Sequence, residues 1–255
     1  MPRDPRSANR SRGDDPLSLH QPVDPHTPVA LVLAAGTGSR VGADRPKQLL
    51  ELLGRPVVIH ALEQHHRMGH HVVVVVSDGT KGPIVEMIDE HLPDADIQIA
   101  MGGDTRRASV IAGVEAIPDE TDPTTGVILR NAASPNTPDS LIEGCLESVK
   151  QHDGVQAFVR SNETTFIRAN DNLDWLIARD ITGFTADPTV YRRELMESVA
   201  QEMRVGDLGE TTLDIARRLH ANIGLVESPR SNFKLTTAGD LHRLEVAMTD
   251  PAAYD

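Results

Sequence analysis

One stretch limits what this chain can fold into more than any other: Val29 to Gln48, VALVLAAGTGSRVGADRPKQ. It opens on an uninterrupted apolar run, Val29 to Ala34, long enough for one buried strand and too short for an ordinary helix. With no polar alternation, the run suits a parallel strand covered on both faces. The chain then breaks into Ala35-Gly36-Thr37-Gly38, where small or absent side chains let the backbone approach a ligand closely. Arg40 and Lys47 follow, with Pro46 keeping the chain extended just before Lys47. Backbone N–H groups and two cations beyond the C-terminal end of a first strand make an anion site, and its chemistry points to a polyphosphate. Two other glycine loops fit poorly. The dinucleotide fingerprint needs glycine at position 41, where Val41 stands and Gly42 comes one residue late. The P-loop needs a closing Gly-Lys-Ser/Thr that is missing here. A plain tight βα turn would explain the glycines but neither the length nor the basicity of the loop.

The loop's basicity stands out because the whole chain is acidic. Its 255 residues carry a formal charge of −13, which argues against nucleic acid or an anionic membrane as a partner. With 39% hydrophobic and only 3% aromatic residues, the core is expected to be large and mostly aliphatic. Cys145 is the single cysteine, so an intramolecular disulfide is excluded, and it reads as an ordinary core residue. No apolar run approaches the length of a membrane span, and no apolar stretch follows the early arginines as a secretory or twin-arginine signal would require. The expected location is cytoplasmic. Residues 1–28, rich in Pro, Arg and Asp, read as a disordered tail, and residues 29–255 as one domain.

Along that domain, Pro56 to Met68 reads as a helix and Val72 to Val76 as a second buried strand. Ile84, Ile88 and Leu92 mark an amphipathic helix, and Ile97 to Ala100 a third strand. His65, His66, His70 and His71 crowd the approach to the second strand; a metal site is conceivable, but without nearby Cys or carboxylates such a cluster is expected to face solvent. The βαβαβ alternation predicts a Rossmann-like, mostly parallel α/β sheet with helices on both faces and ligands at the strands' C-terminal ends. Val127 to Leu129 and Val155 to Val159 continue the sheet, with a helix over Pro138 to Gln151 between them. Leu195, Val199 and Met203 mark another helix, and Thr237 with Asp240 can cap the last one.

Three motifs then carry a resemblance. Ala34-Ala35-Gly36-x-Gly38-x-Arg40 with Pro46-Lys47-Gln48 resembles the nucleotide loop of the sugar-nucleotidyltransferase superfamily, and its Pro-Lys-Gln ending that of the 2-C-methyl-D-erythritol 4-phosphate cytidylyltransferase family. Gly102-Gly103-Asp104-Thr105-Arg106-Arg107-Ala108-Ser109-Val110 is similar to that family's Gly-Gly-x-x-Arg-x-x-Ser-Val motif. Val226 to Thr237 resembles its closing Gly-x-x-x-Asn-x-Lys-x-Thr segment, with Ser228 in place of the glycine.

Arg160 to Ile177 is polar and reads as irregular. The resemblance implies a nucleotidyltransferase-type fold in which this stretch belongs to a small protruding arm, about residues 158–180, that family members exchange in a homodimer. It implies transfer of a cytidylyl group from CTP to 2-C-methyl-D-erythritol 4-phosphate in isoprenoid precursor biosynthesis, with magnesium and release of pyrophosphate. Arg40 and Lys47 would hold the triphosphate, and Arg179 and Lys234 the acceptor. Ala34, Ala35, Gly36, Gly38, Gly103, Asp104 and Ser109 would contact the nucleotide. Three places depart from the family. Arg130-Asn131-Ala132-Ala133-Ser134-Pro135 stands where it has His-Asp-Ala-Ala-Arg-Pro, so Asn131 would offer magnesium only an uncharged oxygen. Asp187-Pro188-Thr189 stands for Thr-Pro-Gln, and Glu210-Thr211-Thr212-Leu213 for Thr-Asp-Asp-Ala. The altered acceptor segments leave open another polyol phosphate, such as ribitol 5-phosphate, or a phosphonate. The lost charges leave open a non-catalytic nucleotide-binding paralogue.

Overall fold

A computed structural model describes residues 24–36, 45–206, 211–250 and 254. In chain order the elements are β1 (Val29–Leu33), the short hairpin β2 (Glu51–Leu52) and β3 (Arg55–Pro56), α1 (Val57–Arg67), β4 (His71–Val76), α2 (Asp78–His91) and β5 (Ile97–Met101). They continue with α3 (Arg106–Glu115), β6 (Gly126–Asn131), α4 (Asp139–Ser148), β7 (Gly154–Arg160), β8 (Thr165–Ala169) and β9 (Asn172–Ile177). The last are β10 (Gly183–Arg192), α5 (Arg193–Val205), α6 (Thr212–Arg218), β11 (Ile223–Glu227) and α7 (Gly239–Thr249). Seven strands form one sheet in the order β11-β7-β10-β6-β1-β4-β5. All neighbours are parallel except β10, which runs antiparallel to both β6 and β7.

Side chains alternate across a strand, so apolar strands feed two cores at once. Val29, Leu31, Val73 and Val75 pack with Val110 and Val114 of α3 and Met196 and Val199 of α5. Val32, Val72, Val74 and Val76 face the other way, onto Val58 and Leu62 of α1 and Ile84 and Ile88 of α2. On that second side α4 places Ile142 and Cys145 over Ile128, Val155 and Val190. Each of these fully buried aliphatic side chains contributes roughly 1.5–3 kcal/mol through burial. Cys145 is a core residue as expected, its thiol pushed up to about 12 by burial. No helix among the described residues is long and apolar enough to cross a membrane.

Three expectations are corrected. Residues 24–28, assigned to the tail, are docked: Pro25 O accepts from Asp122 N at 2.8 Å and Thr125 Oγ1 at 2.9 Å. The rest of the tail lies outside the described residues. The arm, expected to be irregular, is a regular hairpin in which β8 and β9 pair antiparallel, Phe166 opposite Leu176 and Ile167 opposite Trp175. The histidine cluster faces solvent only in part: His66 is exposed, but His65 is fully buried and His70 and His71 are half-buried. The chain turns out of α1 through Gly69 at φ +74°, which seats His70 N on His65 O at 3.1 Å and folds the two rings together.

Arg130, fully buried on β6, explains why His65 goes inside. Its Nη1 donates to Gln64 Oε1 and lies 3.2 Å from His65 Nε2, and its Nη2 donates to Ser134 O at 2.7 Å. A guanidinium can only donate, so His65 Nε2 accepts and Nδ1 carries the proton toward His70 Nδ1, 3.0 Å away. Burial first, then the charge of Arg130 and the neighbouring His70, hold His65 well below the ordinary 6.5. Burial pushes His70 down to about 4. Both rings fold neutral and take up protons only on unfolding, so their contribution is complete above about pH 6.5 and is lost as pH falls below it. His65 alone should cost about 1 kcal/mol of stability between pH 7 and 5.5. Urea melts across that range should show the loss, and His65→Gln should flatten the dependence; an unchanged slope would contradict this network.

Candidate active site

The parallel register aligns the C-terminal ends of the central strands, with Leu33 of β1 opposite both Val75 of β4 and Asn131 of β6. The backbone just beyond β1, Ala34 to Gly36, therefore lies between the turns that follow its two neighbours. Ala34 N donates to Val75 O at 2.7 Å, and Ala132 N to Leu33 O at 3.0 Å. The buried Gln48 amide donates to Ala34 O and Gly36 O, both at 2.7 Å, and so gathers the two ends of the loop. Gly38 and Arg40 lie outside the described residues.

Beyond β5, the Gly102-Gly103 pair packs tightly onto the start of α3. A Cβ on Gly102 would meet Ser109 Oγ at 2.7 Å, and one on Gly103 would meet Ala108 Cβ at 2.6 Å. Ser109 is buried, its hydroxyl donating to Gly103 O at 3.3 Å, so it shapes this turn from within. The cap of α3 is Thr105, whose hydroxyl accepts from Ala108 N at 3.1 Å. Asp104 stands exposed one residue ahead of it.

The closing segment crosses both turns. Leu235 N donates to Ala133 O at 2.8 Å, while Leu235 O accepts from Lys47 Nζ at 2.7 Å. Lys234 reaches the other way, its Nζ 2.9 Å from Asn131 Oδ1. Arg106 Nη1 donates to the same oxygen at 2.7 Å. Asn131 Nδ2 lies 2.8 Å from both carboxylate oxygens of Asp187, and Ser134 Oγ donates to Oδ2. Asn232 Nδ2 fixes the Asp187 carbonyl at 2.6 Å. Arg106, Asn131, Ser134, Asp187, Asn232 and Lys234 line one cavity of about 840 Å³, to which Arg230 and Arg243 add further positive charge. Arg243 sits over the Phe233 ring at 4.8 Å.

The structure thus brings Asn131 and Lys234 into the cavity and ties Lys47 to the residue next to Lys234. Arg179 is exposed in a short 3-10 turn at the foot of the β8–β9 hairpin and is not part of that lining. At Asn131 the structure adds partners that sequence reasoning did not foresee: its carbonyl oxygen, the atom expected to face magnesium, accepts from two cationic side chains. Among the described residues no group of three or more His, Cys, Asp or Glu could hold a metal ion. Sequence reasoning passed over Arg106, although the Gly-Gly-x-x-Arg motif contained it, and it did not identify Asp187 as a partner of Asn131. The altered segment near residue 211 has a structural use: Thr211 caps α6 by accepting from Asp214 N at 3.1 Å, and Thr212 Oγ1 accepts from the buried Tyr191 hydroxyl at 3.0 Å. Glu210 lies outside the described residues.

Chemically, the cavity can hold phosphate oxygens at more than one point. A model of the 2-C-methyl-D-erythritol 4-phosphate cytidylyltransferase family (IspD) matches residues 29–250. A cytidylyltransferase of that name from Xanthomonas campestris is 31% identical, over 87% of this chain and 84% of its own. One from Leptospira interrogans is 28% identical, over 85% and 90%. A bifunctional IspD/IspF enzyme of Granulibacter bethesdensis is 30% identical over 86% of this chain, which spans 56% of that longer relative. In fold, the chain is similar to 4-diphosphocytidyl-2C-methyl-D-erythritol synthase of Anaerococcus prevotii, with a TM-score of 0.77 at 19% identity over 89% of this chain and 100% of that one. It is also similar to the cytidylyltransferase of Thermus thermophilus, with a TM-score of 0.68 at 21% identity over 88% and 100%. From the family model and the identity to its members, the chain belongs to the 2-C-methyl-D-erythritol 4-phosphate cytidylyltransferase family.

Proposed function

We propose that the chain transfers a cytidylyl group from CTP to 2-C-methyl-D-erythritol 4-phosphate in isoprenoid precursor biosynthesis. The observation that carries this reading is the link between two cationic regions. Lys47, from the glycine loop, bonds the carbonyl of Leu235, next to Lys234. A triphosphate on the loop and an acceptor phosphate at Lys234 and Arg106 are then neighbours, as in-line transfer needs. An oxygen of the acceptor phosphate attacks the α-phosphorus; the new P–O bond forms as the bond to the β-phosphate oxygen breaks, and pyrophosphate leaves with that electron pair. Such displacement is catalysed by positioning and charge, so no nucleophilic side chain is needed. Lys47, with Arg40, holds the triphosphate and stabilises its developing charge, and Lys234 with Arg106 offsets repulsion between the two polyanions. Magnesium accompanying CTP would take its ligands chiefly from phosphate oxygens and water. The departures that left a non-catalytic paralogue open have local structural explanations at Asn131 and Thr211-Thr212. A cytoplasmic location is proposed from the CTP requirement.

We also propose a homodimer. The β8–β9 hairpin exposes Phe166, Ile167, Leu173, Trp175 and Leu176, and Trp175 is 67% accessible. Large apolar side chains gathered on one projection mark a contact surface. Arg179, at the foot of this hairpin and outside its own cavity, would serve the acceptor site of the second copy.

Pyrophosphate release from CTP should require methylerythritol phosphate, and turnover with ribitol 5-phosphate alone would replace the acceptor assignment. Lys47→Ala should lower turnover by about 10²–10³ with the fold intact, the usual loss for one transition-state contact. CTP should raise the melting temperature more than ATP, GTP or UTP, and equal shifts would remove the cytosine assignment. In sedimentation, the 27.7 kDa chain should run as a dimer, and Trp175→Glu with Leu176→Glu should give monomers. A monomeric parent protein at micromolar concentration would contradict the dimer.

A further inference from the structure

We infer that Asp187 is a positioning residue that, through Asn131, assembles Arg106 and Lys234 into a phosphate-monoester site. Every group around Asn131 has a fixed hydrogen-bonding sense. An ionised carboxylate only accepts, and Arg106 and Lys234 only donate. The Asn131 amide therefore has one orientation, with Nδ2 on Asp187 at 2.8 Å and Oδ1 toward Arg106 and Lys234 at 2.7 and 2.9 Å. Asp187 is itself held by the β6 turn, through Asn131 N at 3.3 Å and Ser134 Oγ. The two cations meet on a neutral oxygen that draws them together and adds no negative charge of its own. A phosphate entering the cavity would meet both as charge-assisted donors.

The same geometry explains why residue 131 is an amide. A carboxylate there would neutralise the cation pair and would also stand against the Asp187 carboxylate at hydrogen-bond distance, where both cannot remain ionised. The carboxylate at 187 and the amide at 131 therefore work as one unit. The negative charge lies one step back from the ligand.

This inference deepens the acceptor side of the proposed function and rests on it for the identity of the phosphate ester. Its test uses the full-length protein, with inorganic phosphate in calorimetry and methylerythritol phosphate in steady-state kinetics. Asp187→Ala should weaken phosphate binding and raise the acceptor KM by about tenfold, the scale of one lost charge-assisted bond, with a smaller effect on kcat. Asp187→Asn keeps an acceptor oxygen for the Asn131 amide and should recover most of that loss. Asn131→Asp should also weaken phosphate binding about tenfold at pH 8, and the defect should shrink as the pH is lowered and the new carboxyl pair takes up a proton. Unchanged phosphate affinity in a folded Asp187→Ala protein, or Asp187→Asn as damaging as Asp187→Ala, would overturn the inference. If Asp187→Ala does not fold, the Asn131→Asp protein decides, and phosphate binding as tight as in the parent would overturn it. A parent protein that binds phosphate with this mutational pattern but turns over no methylerythritol phosphate would remove the acceptor assignment and leave the cation pair standing.

Discussion

β1 and β6 run parallel with Leu33 opposite Asn131, and most of the site follows from that register. It sets the glycine turn after β1 beside the Asn131 turn after β6, and the closing segment needs only two short contacts to join them. Leu235 supplies both, donating to Ala133 and accepting from Lys47. A slip of one residue in either strand would exchange its two faces. The apolar runs that make both cores therefore hold the position of the polar turns as well. The cations stand on backbone that the hydrophobic packing has already fixed.

The chain's formal charge is −13, yet the cavity gathers Arg106, Lys234, Arg230 and Arg243 around one carboxylate among the described lining residues, that of Asp187. Such a concentration in an acidic protein attracts small polyanions and does not extend to a broad basic face. Behind it lies a further cation, Arg130, fully buried on β6. Burial brings its guanidinium down to about 10, and its partners are neutral: Gln64, His65 and the Ser134 carbonyl. Through Ser134 this buried group braces the turn that carries Asn131 and holds Asp187. Its histidine neighbours couple the brace to pH through stability.

The parallel strands were legible in the sequence because uninterrupted runs such as Val72 to Val76 permit little else in an α/β pattern. The glycine turns and the lysines of the loop and closing segment were legible as motifs. β10 was not, because Asp187-Pro188 interrupts its pattern and the strand's identity depends on insertion between β6 and β7. The burial of His65 could not be read either. It depends on Arg130, 65 positions away, offering a donor in the core, whereas a histidine-rich run by itself looks like solvated surface. Asn131 taken alone looks like a lost charge. Its partner Asp187 is 56 residues on, and only the sheet brings the two together. The acceptor segments read poorly for the same reason, since Thr211 and Thr212 serve a helix cap and a buried tyrosine.

The proposed acceptor site is Arg106 and Lys234 acting as one anion site over the neutral oxygen of Asn131. A crystal structure of the protein soaked with methylerythritol phosphate examines this most directly. The phosphate should lie within hydrogen-bond reach of both Arg106 and Lys234, with the Asn131 nitrogen still on Asp187. A phosphate seated away from that pair, or an Asn131 amide turned with its oxygen toward Asp187, would contradict it.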